Sequence, residues 1–99
     1  MHTIHLNIID QQQNQFSGDM CYIRACLRDG DIGITPGHAP LISTLKRGTI
    51  SARDSDDKTI TIDVEGGFIE VQPTHVTILT QSMMKENTTQ RNAHENYSS

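Results

Sequence analysis

Five segments of this chain alternate apolar and polar residues with a period of two, which is the pattern of a half-buried β-strand. They span residues 4–8, 21–28, 49–53, 60–64 and 76–78, and β-branched residues are frequent in them. Helical periodicity is weak almost everywhere, and turn signals separate the alternating segments at short intervals. Short alternating strands with closely spaced turns predict an all-β fold, either an antiparallel sandwich or a barrel.

Clusters of glycine, proline and small polar residues between these segments predict the turns. They lie at residues 17–19, 29–31, 47–48, 54–57 and 73–74. Two strand patterns meet at residues 54–58, which are therefore expected to form a hairpin tip. The polar stretch at residues 11–14 is expected to be a short edge strand or a loop. Gly66 and Gly67 interrupt a strand pattern, which predicts a bulge or a close approach of two backbones.

The composition favours one small domain with an aliphatic core. The chain has 99 residues, of which 34% are hydrophobic and only 4% aromatic, so Ile, Leu and Val must fill the interior. No run is long and apolar enough to predict a transmembrane helix, and the first residues lack the pattern of a signal peptide. Residues 1–84 are expected to form the folded domain. Residues 85–99 are a polar tail, expected to be disordered or a short frayed helix.

Charge and cysteine spacing exclude several classes of protein. The net charge of −4, with scattered basic residues, argues against a nucleic-acid partner. Cys21 and Cys26 are five residues apart, which on a strand places them on opposite faces, so they are not expected to form a disulfide with each other. Two cysteines at this spacing do not make a zinc site either. Two reduced thiols in a cytosolic protein are expected.

Catalytic and cofactor motifs are missing from the sequence. None of the five histidines has a metal-ligand spacing, and neither a Gly-x-Ser-x-Gly nucleophile nor a phosphate-binding Gly-x4-Gly-Lys-Ser/Thr motif occurs. The paired carboxylates at residues 29/31 and 56/57 lie in polar loops, without the apolar surroundings that acid–base catalysis needs. The chain is therefore predicted to be non-catalytic, with no cofactor or metal.

One loop is shaped for contact. Residues 33–41 hold two glycines, two prolines and His38, a combination that allows few backbone conformations. An apolar step follows at residues 39–42, and Met83 and Met84 end the predicted folded part. Together these segments predict an apolar contact patch on one side of the domain, and hence binding rather than catalysis.

Three blocks in register resemble the N-terminal β-sandwich domain of the epsilon subunit of F-type ATP synthases. They are Phe16-Ser17-Gly18, Gly33-Ile34-Thr35-Pro36-Gly37-His38-Ala39-Pro40-Leu41, and Gly66-Gly67-Phe68-Ile69-Glu70-Val71-Gln72-Pro73 followed by Val76-Thr77-Ile78-Leu79. The resemblance covers about residues 3–84. It implies a two-sheet antiparallel β-sandwich of about ten short strands.

The resemblance also implies a function. Members of this family are non-catalytic central-stalk, or rotor, subunits that join the gamma subunit to the c ring and couple ion translocation to ATP synthesis and hydrolysis. The expected partners are therefore gamma and the c ring, with no small-molecule ligand and no cofactor. The expected location is the cytoplasmic face of a bacterial plasma membrane, where the chain would be a peripheral part of the enzyme.

Family contacts carried onto this sequence predict two interfaces. The predicted gamma-subunit interface consists of His38, Ala39, Pro40, Leu41, Ile42, Ser43 and Met84. The predicted c-ring interface consists of Asp29 and Asp31, which would meet the basic polar loops of the ring. Each exposed ion pair would contribute only ~0.2–1 kcal/mol, so these carboxylates are expected to set register rather than affinity.

The family also has features that residues 85–99 do not match. Bacterial members commonly continue into a two-helix domain that can inhibit hydrolysis and in some cases binds ATP. Fifteen mostly polar residues cannot form such a helical pair, so inhibition and nucleotide sensing are not expected here.

Two alternatives stand beside the resemblance. A free-standing β-sandwich that binds a ligand such as a sugar would need aromatic platforms, and the aromatic residues are Phe16, Tyr22, Phe68 and Tyr97. A small hydrolase or isomerase on a β scaffold would need an acid–base pair converging in a cleft.

Overall fold

The computed structural model describes residues 2–84 and, by their backbone, residues 87–90. Its strands are β1 (Ile4–Asp10), β2 (Gln15–Met20), β3 (Tyr22–Leu27), β4 (Gly30–Ile34), β5 (Leu41–Arg53), β6 (Lys58–Val71), β7 (His75–Thr80) and β8 (Asn87–Gln90). No helix occurs in this part of the chain, so none there could cross a membrane. The predicted all-β class is confirmed.

The strands are hydrogen-bonded in the order β2-β1-β7-β6-β5-β3-β4, with β8 added to β6. Every pairing is antiparallel except that of β1 with β7, which is parallel. Parallel neighbours need a long connection between them. Most of the chain lies between β1 and β7, so the connection between them is long enough. The first and the seventh strand, which are far apart in the sequence, are therefore neighbours in the sheet.

In each of the long strands β5 and β6, the first half buries one face of the strand and the second half buries the other. Along β5 the first half buries Leu45, whereas the second half buries Ile50 and Ala52, which have the other parity. β6 changes in the same way between Val64 and Ile69. Since successive side chains of a strand point to opposite faces, each long strand passes from one layer of the domain into the other.

Two layers result. The first layer contains β2, β1, β7, the second half of β6 and the first half of β5. The second layer contains β4, β3, the second half of β5, the first half of β6, and β8. The structure is thus a β-sandwich, as predicted. Among the described residues it has eight strands rather than about ten, because β5 and β6 each serve both layers.

The glycine pair in β6 lies where that strand changes layer. Gly66 and Gly67 have φ of +92° and +125°, a region that L side chains rarely adopt. A Cβ on Gly67 would also collide with the carbonyl oxygen of Leu79 and approach the Cα of Thr80 to 2.8 Å. Of the two predicted explanations for this pair, the close approach of two backbones is confirmed.

The core is one aliphatic cluster between the layers. Ile34 on β4 and Met20 on β2 are 0% and 2% exposed, although their strands are the two ends of the hydrogen-bonded order. The sheet must therefore fold over itself to cover both. The other buried hydrophobic residues are Ile4, Leu6, Ile8, Ile23, Ala25, Leu27, Leu45, Ile50, Ala52, Ile62, Val64, Ile69, Val71, Val76 and Ile78.

The turns predicted at residues 17–19 and 47–48 are wrong, because these residues lie inside β2 and β5. Gly18 serves packing rather than turning. A Cβ at this position would lie only 3.0 Å from the Cε of Met20, so the glycine makes room for that side chain; the Phe16 ring, at 3.7 Å, would be in ordinary contact.

The turn between β1 and β2 is at residues 11–14, which the sequence left open between an edge strand and a loop. Asp10 organises it: its Oδ1 accepts hydrogen bonds from the backbone N–H groups of Gln12 and Asn14, both at 2.9 Å. Gln13 has a φ of +69° within this turn. An aspartate that bonds to the backbone two residues ahead is a recurring turn device.

The hairpin tip predicted at residues 54–58 is confirmed. The backbone N–H of Asp54 donates to the carbonyl oxygen of Lys58 at 3.0 Å, and Asp57 has a φ of +67°. The side chain of Asp54 accepts hydrogen bonds from the N–H groups of Asp56 and Lys58 at 2.9 and 3.0 Å.

The expectation for the polar tail is corrected over four residues. Asn87–Gln90 forms β8, which pairs antiparallel with β6 in the register Lys58↔Gln90 to Thr61↔Asn87. The reason is that the outer side of β6 offers unpaired backbone groups at this edge of the second layer. Residues 85, 86 and 91–99 lie outside the described residues.

Candidate interaction surface

The outer face of the first layer exposes a group of large apolar side chains. Ile42 on β5, Phe68 on β6 and Leu79 on β7 are 73%, 60% and 52% exposed. Phe68 pairs directly with Leu79, and Ile42 pairs with Glu70, two residues beyond Phe68. These three apolar residues therefore form one surface across three strands, named here the Ile42–Phe68–Leu79 patch. An exposed apolar group of this kind typically marks a contact surface.

The layer change explains why these side chains point outward. After Gly67, Ile69 and Val71 turn into the core, so Phe68 and Glu70 must face solvent. On β7, Val76 and Ile78 are buried, and Leu79 falls on the opposite face.

Two depressions flank the pair formed by Phe68 and Leu79. One, of about 220 Å³, is lined by Ile42, Phe68, Ile69, Glu70, Thr77 and Leu79. The other, of about 380 Å³, is lined by Ile9, Asp10, Gln11, Gly67, Phe68, Leu79, Thr80 and Gln81. Phe68 and Leu79 thus form a ridge between the two depressions. A protein partner with a complementary surface could pack against this shape.

The loop before β5 is held to the rest of the domain by its backbone. The N–H of Gly37 donates to the carbonyl oxygen of Pro73 at 2.8 Å, and the N–H of His38 donates to Thr35 at 3.1 Å. The imidazole Nδ1–H of His38 donates to the carbonyl oxygen of Ala39 at 2.8 Å. This loop is therefore stiff and shaped, as its prolines and glycines predict.

The predicted gamma-facing residues of this loop differ in exposure. Ala39, Pro40 and Ile42 are exposed, whereas His38, Leu41 and Ser43 are half-buried. Ile42 belongs to the Ile42–Phe68–Leu79 patch, so the structure brings this part of the prediction together with β6 and β7.

Met84, the last residue of the predicted gamma interface, lies away from the Ile42–Phe68–Leu79 patch. Its side chain is 57% exposed, and its backbone N–H donates to the carbonyl oxygen of Asp63 at 2.8 Å, on the half of β6 that belongs to the second layer. It lines a depression of about 450 Å³ with Arg47, Gly48, Thr49, Asp63, Val64 and Glu65. Met84 therefore lies beside the second layer, whereas Ile42 is on the first.

The predicted c-ring carboxylates lie on the hairpin formed by β3 and β4, in the second layer. Asp29 is exposed in the turn, and Asp31 is on β4 opposite Cys26. The Oδ2 of Asp31 accepts a hydrogen bond from the Nη2 of Arg24 at 2.6 Å. The Arg24 guanidinium, and then the Cys26 thiol, hold the pKa of the Asp31 carboxyl below its ordinary value. Part of the charge of Asp31 is thus already offset within the chain.

Asp10 is a buried carboxylate whose role the sequence reasoning missed. Besides its two bonds to the turn backbone, its Oδ2 accepts from the side-chain amide of Asn14 at 3.0 Å and from the N–H of Met83 at 3.2 Å. Burial alone would raise the pKa of Asp10, but the hydrogen bonds from Asn14, Met83 and Gln12 outweigh it and lower the pKa. The sequence signal was an aspartate that ends an alternating segment just before a polar stretch.

The aromatic residues bear on the alternative of a sugar-binding module. Phe16 packs against the core, and the Tyr22 ring lies under the guanidinium of Arg53, 5.6 Å from its centroid. Within residues 2–84 this leaves Phe68 as the mostly exposed ring. A single exposed ring with aliphatic neighbours favours contact with a protein over stacking of a sugar.

Metal-ligand side chains do not cluster in the described part of the chain. Residues 2–84 contain no cluster of three His, Cys, Asp or Glu side chains that could hold a metal ion. Cys21 and Cys26 are both free thiols.

Comparison with known proteins identifies the family. Residues 3–86 match the family described as ATP synthase, Delta/Epsilon chain, beta-sandwich domain. The chain belongs to this family. The resemblance drawn from the three sequence blocks is therefore confirmed, and the epsilon-family domain spans all of β1 to β7.

Several curated relatives of this epsilon-family domain are named ATP synthase epsilon chain. The chain is 43% identical over 79 residues to the ATP synthase epsilon chain of Alkalilimnicola ehrlichii, covering 80% of this chain and 56% of that protein. It is 35% identical over 85 residues to the epsilon chain of Bordetella avium (86% and 60% covered) and 38% identical over 85 residues to that of Psychrobacter arcticus (86% and 62%). The chain thus spans a little under two thirds of these relatives.

Solved structures share the fold of the epsilon-family domain. A chain of the Euglena gracilis mitochondrial ATP synthase, from a structure of OSCP, F1 and the c-ring, superimposes with a TM-score of 0.76 at 20% identity, covering 85% of this chain and 54% of that one. A chain of the Tetrahymena thermophila mitochondrial ATP synthase central stalk and c-ring superimposes with a TM-score of 0.68 at 12% identity, covering 82% and 65%.

Proposed function

We propose that this domain is a non-catalytic part of the central stalk of an F-type ATP synthase, where it joins the gamma subunit to the c ring. In that position it helps to couple ion translocation to ATP synthesis and hydrolysis. The observation that carries the proposal is the family match over residues 3–86, which includes the whole of both layers up to Met84. In a bacterium the domain would be a peripheral part of the enzyme at the cytoplasmic face of the plasma membrane.

The gamma subunit would contact the first layer. Ala39, Pro40 and Ile42, which belong to the predicted gamma interface, are exposed. Phe68 and Leu79 extend that apolar surface across two further strands, and they are added here to the proposed interface. Burying such side chains against a partner contributes favourably through the hydrophobic effect. Met84, on the second layer, would contact gamma only if gamma also reaches that side.

The c ring would contact the second layer through the hairpin of β3 and β4. Asp29 is exposed at its turn, and Asp31 stands on the next strand beside Arg24. A basic ring loop would be attracted to Asp29 directly and would compete with Arg24 for Asp31. The attraction at such exposed positions is modest, so it would fix orientation rather than supply affinity.

The fold supports a mechanical role because the two proposed contact surfaces belong to different layers. β5 and β6 pair in one register from Leu41↔Val71 in the first layer to Arg53↔Thr59 in the second, with the pairing interrupted between Leu45↔Gly67 and Arg47↔Glu65. A force applied to the Ile42–Phe68–Leu79 patch is therefore transmitted to the second layer along two strands joined by backbone hydrogen bonds, over a close-packed core.

Reconstitution tests this proposal. The purified chain is expected to bind the gamma subunit of its own enzyme with a micromolar or lower Kd, measured by isothermal titration calorimetry. Added to ATP synthase lacking its epsilon subunit, it is expected to restore ion-driven ATP synthesis in vesicles. Absence of gamma binding at micromolar concentrations would overturn the proposal.

A further inference from the structure

We propose that the gamma surface facing the first layer carries an arginine or lysine side chain that inserts between Ile42, Glu70 and Leu79. This inference rests on the proposed function and names the chemistry that the partner must present to that face. It starts from one carboxylate in a mostly apolar depression.

Glu70 stands beside the apolar side chains of the patch. It pairs with Ile42 on β5 and with Thr77 on β7, and it lines the depression of about 220 Å³ together with Phe68 and Leu79. Side chains on directly opposed residues of neighbouring strands lie ~5 Å apart. A partner that covers Ile42, Phe68 and Leu79 must therefore cover the carboxylate of Glu70 as well.

The charge of Glu70 has no cationic partner among the residues that the structure describes. The ion pairs within residues 2–84 involve four other acids, Asp19, Asp31, Glu65 and Asp57. Glu70 accepts one hydrogen bond, from the side-chain amide of Gln72 at 3.0 Å. This neutral donor orients the carboxylate and leaves its charge uncompensated.

An apolar partner alone would bury this charge unpaired. Removing a carboxylate from water is costly unless a cation or several hydrogen bonds replace the solvent. A partner that gains from covering the patch must therefore bring a cation to Glu70. The net charge of −4 of the whole chain also favours a cationic partner surface.

The depression suits a long basic side chain. The methylene stem of arginine or lysine can lie on Ile42 and Leu79 while its charged group reaches Glu70, which lines the same depression. The Phe68 ring adds a face on which a cation is attracted. Arginine fits best, because its planar guanidinium can bond a carboxylate through two N–H groups and stack on a ring.

The test compares gamma binding by three forms of the full chain. Glu70→Gln keeps the size of the side chain and removes its charge. Asp56→Asn is the control: it removes one negative charge at the exposed hairpin tip of the second layer. Binding is measured by isothermal titration calorimetry at low and high salt. Glu70→Gln is expected to raise the Kd by about 10-fold at low salt and to reduce its salt dependence. Asp56→Asn is expected to change the Kd by less than about 2-fold.

A third variant, Phe68→Ala, separates the inference from the proposed function. If Phe68→Ala weakens gamma binding while Glu70→Gln binds as the wild type does, the patch is the interface. The inference that gamma presents a basic side chain to Glu70 is then overturned. If the wild-type chain does not bind gamma at all, the proposed function fails and this inference fails with it. If the chain alone forms a dimer that Glu70→Gln dissociates, measured by sedimentation velocity, the cation belongs to a second copy and the inference is overturned.

Discussion

The carboxylate of Asp10 accepts a hydrogen bond from the backbone N–H of Met83 at 3.2 Å, although the two residues are 73 positions apart. The bond joins the end of β1 to the segment that follows β7. The same carboxylate holds the turn between β1 and β2 through Gln12 and Asn14. One buried side chain thus fixes both the first turn of the domain and the path of the chain as it leaves the first layer.

Replacing Asp10 by asparagine is expected to lower the melting temperature at neutral pH, by roughly 5–10 °C. The amide has only one acceptor oxygen, so it cannot satisfy all the donors that the carboxylate serves. Asp56→Asn is the control, because its carboxylate lies exposed at the hairpin tip. Differential scanning calorimetry measures both.

The difference in stability between the wild type and Asp10→Asn is also expected to depend on pH, and the direction follows from the pKa of Asp10. The hydrogen bonds place the pKa of Asp10 in the folded state below the ordinary value of 3.8. The stabilisation is therefore fully present above the unfolded-state pKa and is lost as the pH falls through the lower folded-state pKa. The difference in melting temperature between the wild type and Asp10→Asn should be constant above about pH 5 and shrink below pH 4. A difference that grows on acidification would contradict the assigned hydrogen bonds.

Gly67→Ala is expected to destabilise the domain far more than Gly30→Ala. Both glycines have a strongly positive φ, +125° and +133°, so both substitutions carry backbone strain. Only the Cβ at position 67 would meet backbone atoms, those of Leu79 and Thr80, whereas nothing lies within 4 Å of a Cβ at position 30. The free energy of unfolding in urea should fall by about 1–2 kcal/mol for Gly30→Ala and by at least ~3 kcal/mol for Gly67→Ala. Equal losses would show that strain alone explains both.

Phe68 and Ile69 are neighbours whose substitutions should have opposite consequences. Phe68 is 60% exposed on the patch, so Phe68→Ala should weaken gamma binding by about 10-fold or more and cost less than ~1 kcal/mol of stability. Ile69 is 0% exposed, so Ile69→Ala should cost about 2–5 kcal/mol of unfolding free energy. Calorimetric titration against gamma and urea unfolding measure the two effects. Unchanged gamma affinity in Phe68→Ala would remove the patch from the interface.

Asp31→Lys is expected to impair ion-driven ATP synthesis in the assembled enzyme. The substitution places a positive charge beside Arg24, with which Asp31 now forms a 2.6 Å ion pair, and opposite the basic loops proposed for the ring. Asp56→Lys makes the same change of charge at the hairpin tip and is expected to leave synthesis unchanged. Full activity of Asp31→Lys in vesicles would argue against a c-ring contact at this hairpin.

The fold was largely predictable because burial in a sheet follows a period of two. The positions assigned to the core from alternation, such as Ile4, Ile23 and Ile62, are buried. The turn at residues 17–19 was not predictable, because Gly18 looks the same whether it permits a turn or makes room for Met20. The strand count also depends on information that is not local. The change of buried face in β5 and β6 becomes visible only when the pairing of the two strands is known.

The candidate surface was predictable in part for a similar reason. Ile42 follows a loop rich in glycine and proline, and that composition predicted a contact surface. Phe68 and Leu79 lie in apolar strands, where the sequence alone does not say which of two adjacent apolar residues faces out. Glu70 was visible as a charge in the strand, but its apolar surroundings come from Ile42 and Leu79 on other strands. Non-local neighbours therefore decide the part of the surface that the sequence did not reveal.

The sharing of β5 and β6 between the layers has a consequence for how the domain comes apart. We expect that neither layer unfolds while the other stays folded, because both layers contain parts of the same two strands. Amide protons of the first and second halves of these strands should then exchange with solvent through a single global opening, with equal protection. A domain with this property has no weaker half that would yield first under load.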